Sequence, residues 1–116
     1  MASPVVHFEI LGKNGTKLQD FYRNLFDWKI NAENPMKYGL VEAANSKSIG
    51  GGIGASQNGA PGMVTVYVQV PDLQTQLDKV ESLGGKTIVP PTEVPGYVTF
   101  ALFQDPEGNT IGLIKG

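Results

Sequence analysis

One strand-helix-strand-strand-strand pattern is written twice along this chain, with constant spacing between the copies. Leu25 and Leu83, Ile30 and Ile88, Ala43 and Ala101, and the dipeptides Ile53-Gly54 and Ile111-Gly112 each lie 58 positions apart, half of the 116-residue length. Few other identities survive, so the repeat rests on element order together with these coincidences. The spacing predicts a single α+β domain over 1–116, with module one at about 1–58 and module two at about 59–116. A chain of this size can bury roughly two-thirds of its unfolded surface and fold without staples.

The second copy is the clearer one. Met63-Val-Thr-Val-Tyr-Val-Gln-Val70 alternates strictly, with the valines on one face and Thr65, Tyr67 and Gln69 on the other. Asp72 then caps a helix carrying Leu73, Leu77, Val80 and Leu83 at near-helical spacing, and Gly84-Gly85 ends it. "KTIV" is the next strand, "PPTEVPG" reads as turn-rich, "YVTFALF" and "TIGLI" are strands, and "DPEGN" is a tight turn between them. In the first copy, "VVHFEI" alternates, with Phe8 and Ile10 towards the helix and Val5, His7 and Glu9 on the opposite face. Thr16-Lys-Leu-Gln19 is a capping box for a helix expected to turn Leu18, Phe21, Tyr22, Leu25 and Phe26 inward. Trp28 at the helix exit is expected to pack.

The glycine-rich "SIGGGIGAS" invites a nucleotide-binding reading that its spacing rejects. No Lys-Ser or Lys-Thr follows, as a phosphate loop requires, and no helix opens after it for a dinucleotide fingerprint, because "QNGAPG" stops one. A glycine-rich strand is the remaining reading. The net charge of −2, with acids and bases interspersed, gives no stripe for nucleic acid and no cationic helix for a membrane surface. No apolar run reaches the roughly 20 residues of a membrane span. Cysteine is absent, which removes thiolate metal sites and disulfides, and with no secretory apolar segment the expected location is cytoplasmic.

Paired modules of this kind, with "HFEI" on the opening strand, "FYRNLFDWKI" in the first helix and beyond, and "DPEGNTIGLI" at the end, resemble the glyoxalase/bleomycin resistance/dioxygenase (vicinal oxygen chelate) superfamily over essentially the whole chain. "IGGGIG" and "VPPTEVPG" are similar to its small glyoxalase-like members. The resemblance implies a curved, cup-like mixed sheet with helices on the outer face and a ligand or metal held inside, often across a homodimer. It also implies a ligand set that this chain departs from. His7 resembles the first-strand histidine ligand, but the repeat sends it onto Thr65, and Gly112 and its companion Gly54 stand where metal-dependent relatives carry carboxylates.

One imidazole with Glu9 on the same face makes at most two ligands, fewer than a catalytic metal site uses. No metal is therefore expected. His7 admits two readings, a hydrogen-bonded imidazole filling the interior or a ligand-recognition group. His7, Glu9, Thr65, Tyr67 and Gln69 form a polar set on an apolar wall, as small-molecule sites do. Gly54 and Gly112 are expected to leave room for the bound molecule, so that bulk at Gly112 would displace ligand rather than unfold the protein. The expected function is binding of a small amphipathic molecule in a homodimer cleft. The alternative is a glyoxalase-like lyase, isomerase or dioxygenase in which His7 or Glu9 moves a proton.

Overall fold

A computed structural model describes residues 2–116. The elements run β1 (Val5–Gly12), α1 (Gly15–Phe26), β2 (Ile30–Asn31), β3 (Gly39–Val41), β4 (Gly51–Ala55), a 3-10 turn (Gln57–Gly59), β5 (Met63–Val70), α2 (Leu73–Ser82), β6 (Lys86–Val94), β7 (Val98–Gln104) and β8 (Thr110–Lys115). The fold is α+β, and the order β-α-β-β-β occurs twice, as the repeat requires. The chain gathers into two compact units, His7–Val64 and residues 65–116 together with 2–6.

In the unit His7–Val64 the strands order as β2-β3-β4-β1, with β4 parallel to β1 and the other pairs antiparallel. Helix α1 begins where the Asn14 side chain accepts from the Lys17 backbone N–H at 3.0 Å, so Asn14 is the cap, not Thr16. With the start moved, Gln19 is no longer a capping residue. It is 3% exposed, and its Nε2 donates to the Ile53 carbonyl at 2.7 Å and the Lys37 carbonyl at 3.0 Å. This one amide ties α1 to β4 and to the chain entering β3.

The stripe that α1 turns inward is therefore Gly15 and Gln19, with Leu18 and Tyr22 partly buried beside it. Phe21 and Leu25, expected inside, are 57% and 55% exposed. Phe21 lies about 200° around the helix from Gln19, which puts it on the solvent side. Phe26, also expected inside, is exposed on the last turn and meets Trp28 at a ring separation of 5.1 Å. Trp28 packs as expected, stacked on Tyr22 at 5.5 Å and tilted against Phe8 at 5.5 Å.

In the other unit the strands order as β5-β8-β7-β6, with β8 parallel to β5. Asp72 caps α2 as the sequence predicts, accepting from the Thr75 N–H at 2.9 Å. Leu73 and Leu77 bury against Val70, Ala101 and Leu113, with Val68 and Phe103 packed around them. Strand β6 runs through Pro90-Pro91 to Val94, so the expected turn begins later. Proline is tolerated there because β6 is an edge strand, and its register with β7 shifts on either side of Val89. The "DPEGN" turn forms as expected: Asp105 accepts from the Asn109 side-chain amide and from the backbone N–H groups of Glu107 and Asn109, all at 2.9 Å.

The two parallel pairs differ in register. Glu9 lies opposite Gly52 in one, Tyr67 opposite Gly112 in the other, a difference of two residues from the repeat. An even shift keeps every side chain on its original face, so the repeat survives in facing though not in register. Among the described residues no helix is long and apolar enough to cross a membrane.

Candidate functional site

Strand β1 carries His7 and Glu9 on one face, as alternation demands, and the residue that joins them comes from elsewhere in the same unit. The Tyr38 hydroxyl lies 3.0 Å from His7 Nε2 and donates to Glu9 Oε2 at 2.8 Å. A phenol has one hydrogen to give. Since Glu9 takes it, the Tyr38 oxygen accepts from His7, and the imidazole hydrogen is assigned to Nε2. Burial lowers the His7 pKa below its ordinary 6.5, which favours the neutral ring that this arrangement uses.

Tyr38 is held at its backbone. The Asn34 side chain donates to the Tyr38 carbonyl at 2.7 Å and accepts from its N–H at 2.9 Å. Gln19 holds the preceding carbonyl of Lys37, whose φ of 52° belongs to the tight turn from Asn34. The ring is free to extend only where β4 offers no side chain. A Cβ on Gly52 would fall 1.8 Å from the Tyr38 hydroxyl oxygen, and one on Gly54 would fall 3.0 Å from Tyr38 Cδ1. The opposite face of β4 is used the same way, with the Phe8 ring 2.5 Å from where a Gly51 Cβ would be. The glycine-rich segment is thus a strand paved by aromatic rings, with no helix behind it to direct N–H groups at a phosphate.

The predicted residues divide between the units. His7, Glu9 and Gly54 meet around Tyr38, whereas Thr65, Tyr67, Gln69 and Gly112 lie in the other unit. There, Thr65 is buried and its hydroxyl donates to the Thr110 carbonyl. Tyr67 is 7% exposed and lays its ring over Gly112, where a Cβ would fall 2.3 Å from Cδ2. Gln69 is exposed. The space expected to receive a molecule at Gly112 is held by Tyr67, and that at Gly54 by Tyr38. No described, buried side-chain nitrogen or oxygen lacks a hydrogen-bond partner, so the buried polar groups are satisfied by the protein itself.

Tyr38 is the residue that sequence reading missed. Its signal was present in the pairing: Gly39 lies opposite Ile53, so the preceding Tyr38 faces Gly54 across the antiparallel pair, and an aromatic ring over a cross-strand glycine is a recurring sheet device. Finding it required the β3–β4 register, which three residues of β3 do not announce.

The fold family implies a divalent metal, and the donors at hand do not fit one. His7 Nε2 and Glu9 Oε2 are both engaged by one phenol, and no group of three or more His, Cys, Asp or Glu is placed to hold an ion among the described residues. A shallow open depression of about 320 Å³ over Lys29–Asn31 and Leu40–Glu42 has none of His7, Glu9 and Tyr38 in its wall.

Comparison with known proteins agrees with the fold. The chain is 31% identical over 105 residues to the anthracycline biosynthesis protein DnrV of Streptomyces peucetius, covering 77% of this chain but only 38% of that relative. Among solved structures, hypothetical protein BH1468 from Bacillus halodurans C-125 superposes with a TM-score of 0.71 at 13% identity, covering 100% of this chain and 96% of the other. Methylmalonyl-CoA epimerase from Mycobacterium tuberculosis does so with a TM-score of 0.64 at 14% identity, over 96% of this chain and 86% of the other. At such identities these structures speak for the fold alone. Residues 5–113 match the family as a whole, and the chain belongs to the Glyoxalase/Bleomycin resistance protein/Dioxygenase superfamily.

Proposed function

We propose that this protein binds a small, partly apolar molecule, as a homodimer and without a catalytic divalent ion. The observation that carries the reading is the hydrogen-bonded set His7–Tyr38–Glu9, a few converging, half-buried polar groups, with the Tyr38 ring over Gly52 and Gly54 of β4. The relative named for anthracycline biosynthesis supports a small-molecule role, although this chain spans well under half of it. Two-fold pairing is the common way for a small domain to cover exposed apolar side chains, here including Val64 and Leu83. Native mass spectrometry of protein purified without an affinity tag tests the reading: a dimer carrying an organic ligand and no metal is expected, whereas one zinc, nickel or iron per chain contradicts it.

A second reading, a glyoxalase-like lyase, isomerase or dioxygenase, is favoured by the same chain of hydrogen bonds. A phenol between an imidazole and a carboxylate can pass a proton from one to the other. Turnover of the captured molecule that drops in Tyr38→Phe, with binding retained, distinguishes catalysis from capture.

A further inference from the structure

The geometry points to a binding site for a planar phenol on β4, with Tyr38 as its resident occupant: the molecule would lie along Gly52 and Gly54 with its hydroxyl between His7 and Glu9 once the Tyr38 side chain swings away. This rests on the small-molecule reading above and names the class of ligand.

Three features define the class. The first is flatness. Gly52 and Gly54 sit two positions apart on one face of β4, about 6.6 Å along the strand, and the Tyr38 ring covers both, its hydroxyl end at Gly52 and its Cδ1 edge at Gly54. A strip of that length without side chains lets one six-membered ring lie flat against the backbone, as the Tyr38 ring does. The second is the valence of the anchors. His7 Nε2 donates and the Glu9 carboxylate accepts, so the group between them must do both, as a hydroxyl does and as a carbonyl, an ether or a carboxylate does not. The third is how the occupant is mounted. Asn34 grips the Tyr38 backbone from both sides, which leaves the side-chain torsions as the means of vacating the strip without disturbing β3.

The test compares p-cresol, a copy of the tyrosine side chain, with toluene, which has the ring and lacks the hydroxyl. Tyr38→Ala takes away the ring over Gly52 and Gly54 and the hydrogen bonds that Tyr38 makes to His7 and Glu9. Calorimetric titration should give p-cresol about tenfold tighter binding than toluene, as expected for one net hydrogen bond to charged or polar anchors. That preference should shrink when Glu9→Ala is added, because only the His7 contact remains. Equal affinity for the two probes, or preference unchanged by Glu9→Ala, overturns the assignment. Should Tyr38→Ala fail to fold, wild-type protein gives a second reading. His7 is the sole histidine, so its imidazole signals are unambiguous, and p-cresol should shift them while toluene leaves them in place. No shift with p-cresol counts against the site. Protein that captures other molecules in native mass spectrometry but shows no phenol preference loses the phenol assignment and keeps the broader binding function. Capture of nothing removes both.

Discussion

The two units solve one problem, a glycine in a sheet with a tyrosine across from it, and solve it to different ends. In residues 65–116, Tyr67 comes from the strand hydrogen-bonded to Gly112, is 7% exposed, and sits in the sheet that carries Val70, Ala101 and Leu113. In His7–Val64, Tyr38 comes from a loop, remains half-buried, and spends its hydroxyl on His7 and Glu9. The points of contact differ as well. A Cβ at Gly112 would strike the root of the Tyr67 ring at Cγ and Cδ2, while one at Gly52 would strike the far end of Tyr38, at the hydroxyl and Cζ. A given rotation of a side-chain torsion moves the far end of a ring further than its root. A repeated plan has thus given one unit a buried ring over Gly112 and the other a half-buried ring, hydrogen-bonded to His7 and Glu9, over Gly52 and Gly54.

The comparison predicts an ordering of stability. Leu77→Ala, which empties a fully buried position under α2, should cost about 2–5 kcal/mol in chemical denaturation. Gln19→Leu in the other unit leaves two carbonyls without their donor and should cost about 1–3 kcal/mol. Gly112→Ala should cost about 1–3 kcal/mol through overpacking against Tyr67. Gly52→Ala should cost about 1 kcal/mol, because Tyr38 yields by losing hydrogen bonds rather than by moving strands. A Gly52→Ala protein less stable than Gly112→Ala would break the distinction between the two rings.

A smaller effect concerns pH. The His7 pKa lies below 6.5 in the folded protein, so between that lower value and 6.5 the unfolded chain binds more protons than the folded one. Stability from this source is present above 6.5 and is lost as pH falls through that window. Melting temperature should decline on acidification below 6.5 more steeply in wild type than in His7→Gln. Parallel curves would show that His7 is not held neutral by its surroundings.

Much of this was readable in the sequence, for physical reasons that also mark where reading stopped. Alternation in Met63–Val70 and the spacing after Asp72 state β5 and α2 plainly, since burial on one side leaves a period of two or of 3.6. His7 and Glu9 follow from the same alternation on β1. Helix α1 misled because its aromatic residues imitate a buried stripe, while the residues that do face inward, Gly15 and Gln19, are ones hydropathy passes over. Gln19 is interior because it satisfies two backbone carbonyls, a demand set by tertiary structure. Tyr38 and the filling of Gly52 and Gly54 depend on the β3–β4 register, which a three-residue β3 does not encode locally, and the filling of Gly112 depends on the β5–β8 register.

The proposed binding assigns recognition to His7–Val64 and leaves residues 65–116 with 2–6 as packed structure. Amide chemical-shift mapping of the wild-type protein with p-cresol tests it most directly. Shifts concentrated at Tyr38, Gly52, Gly54 and the β1 residues His7 and Glu9, with Tyr67 and Gly112 unmoved, are the predicted result. Shifts centred on Thr65, Tyr67 and Gly112 would contradict it.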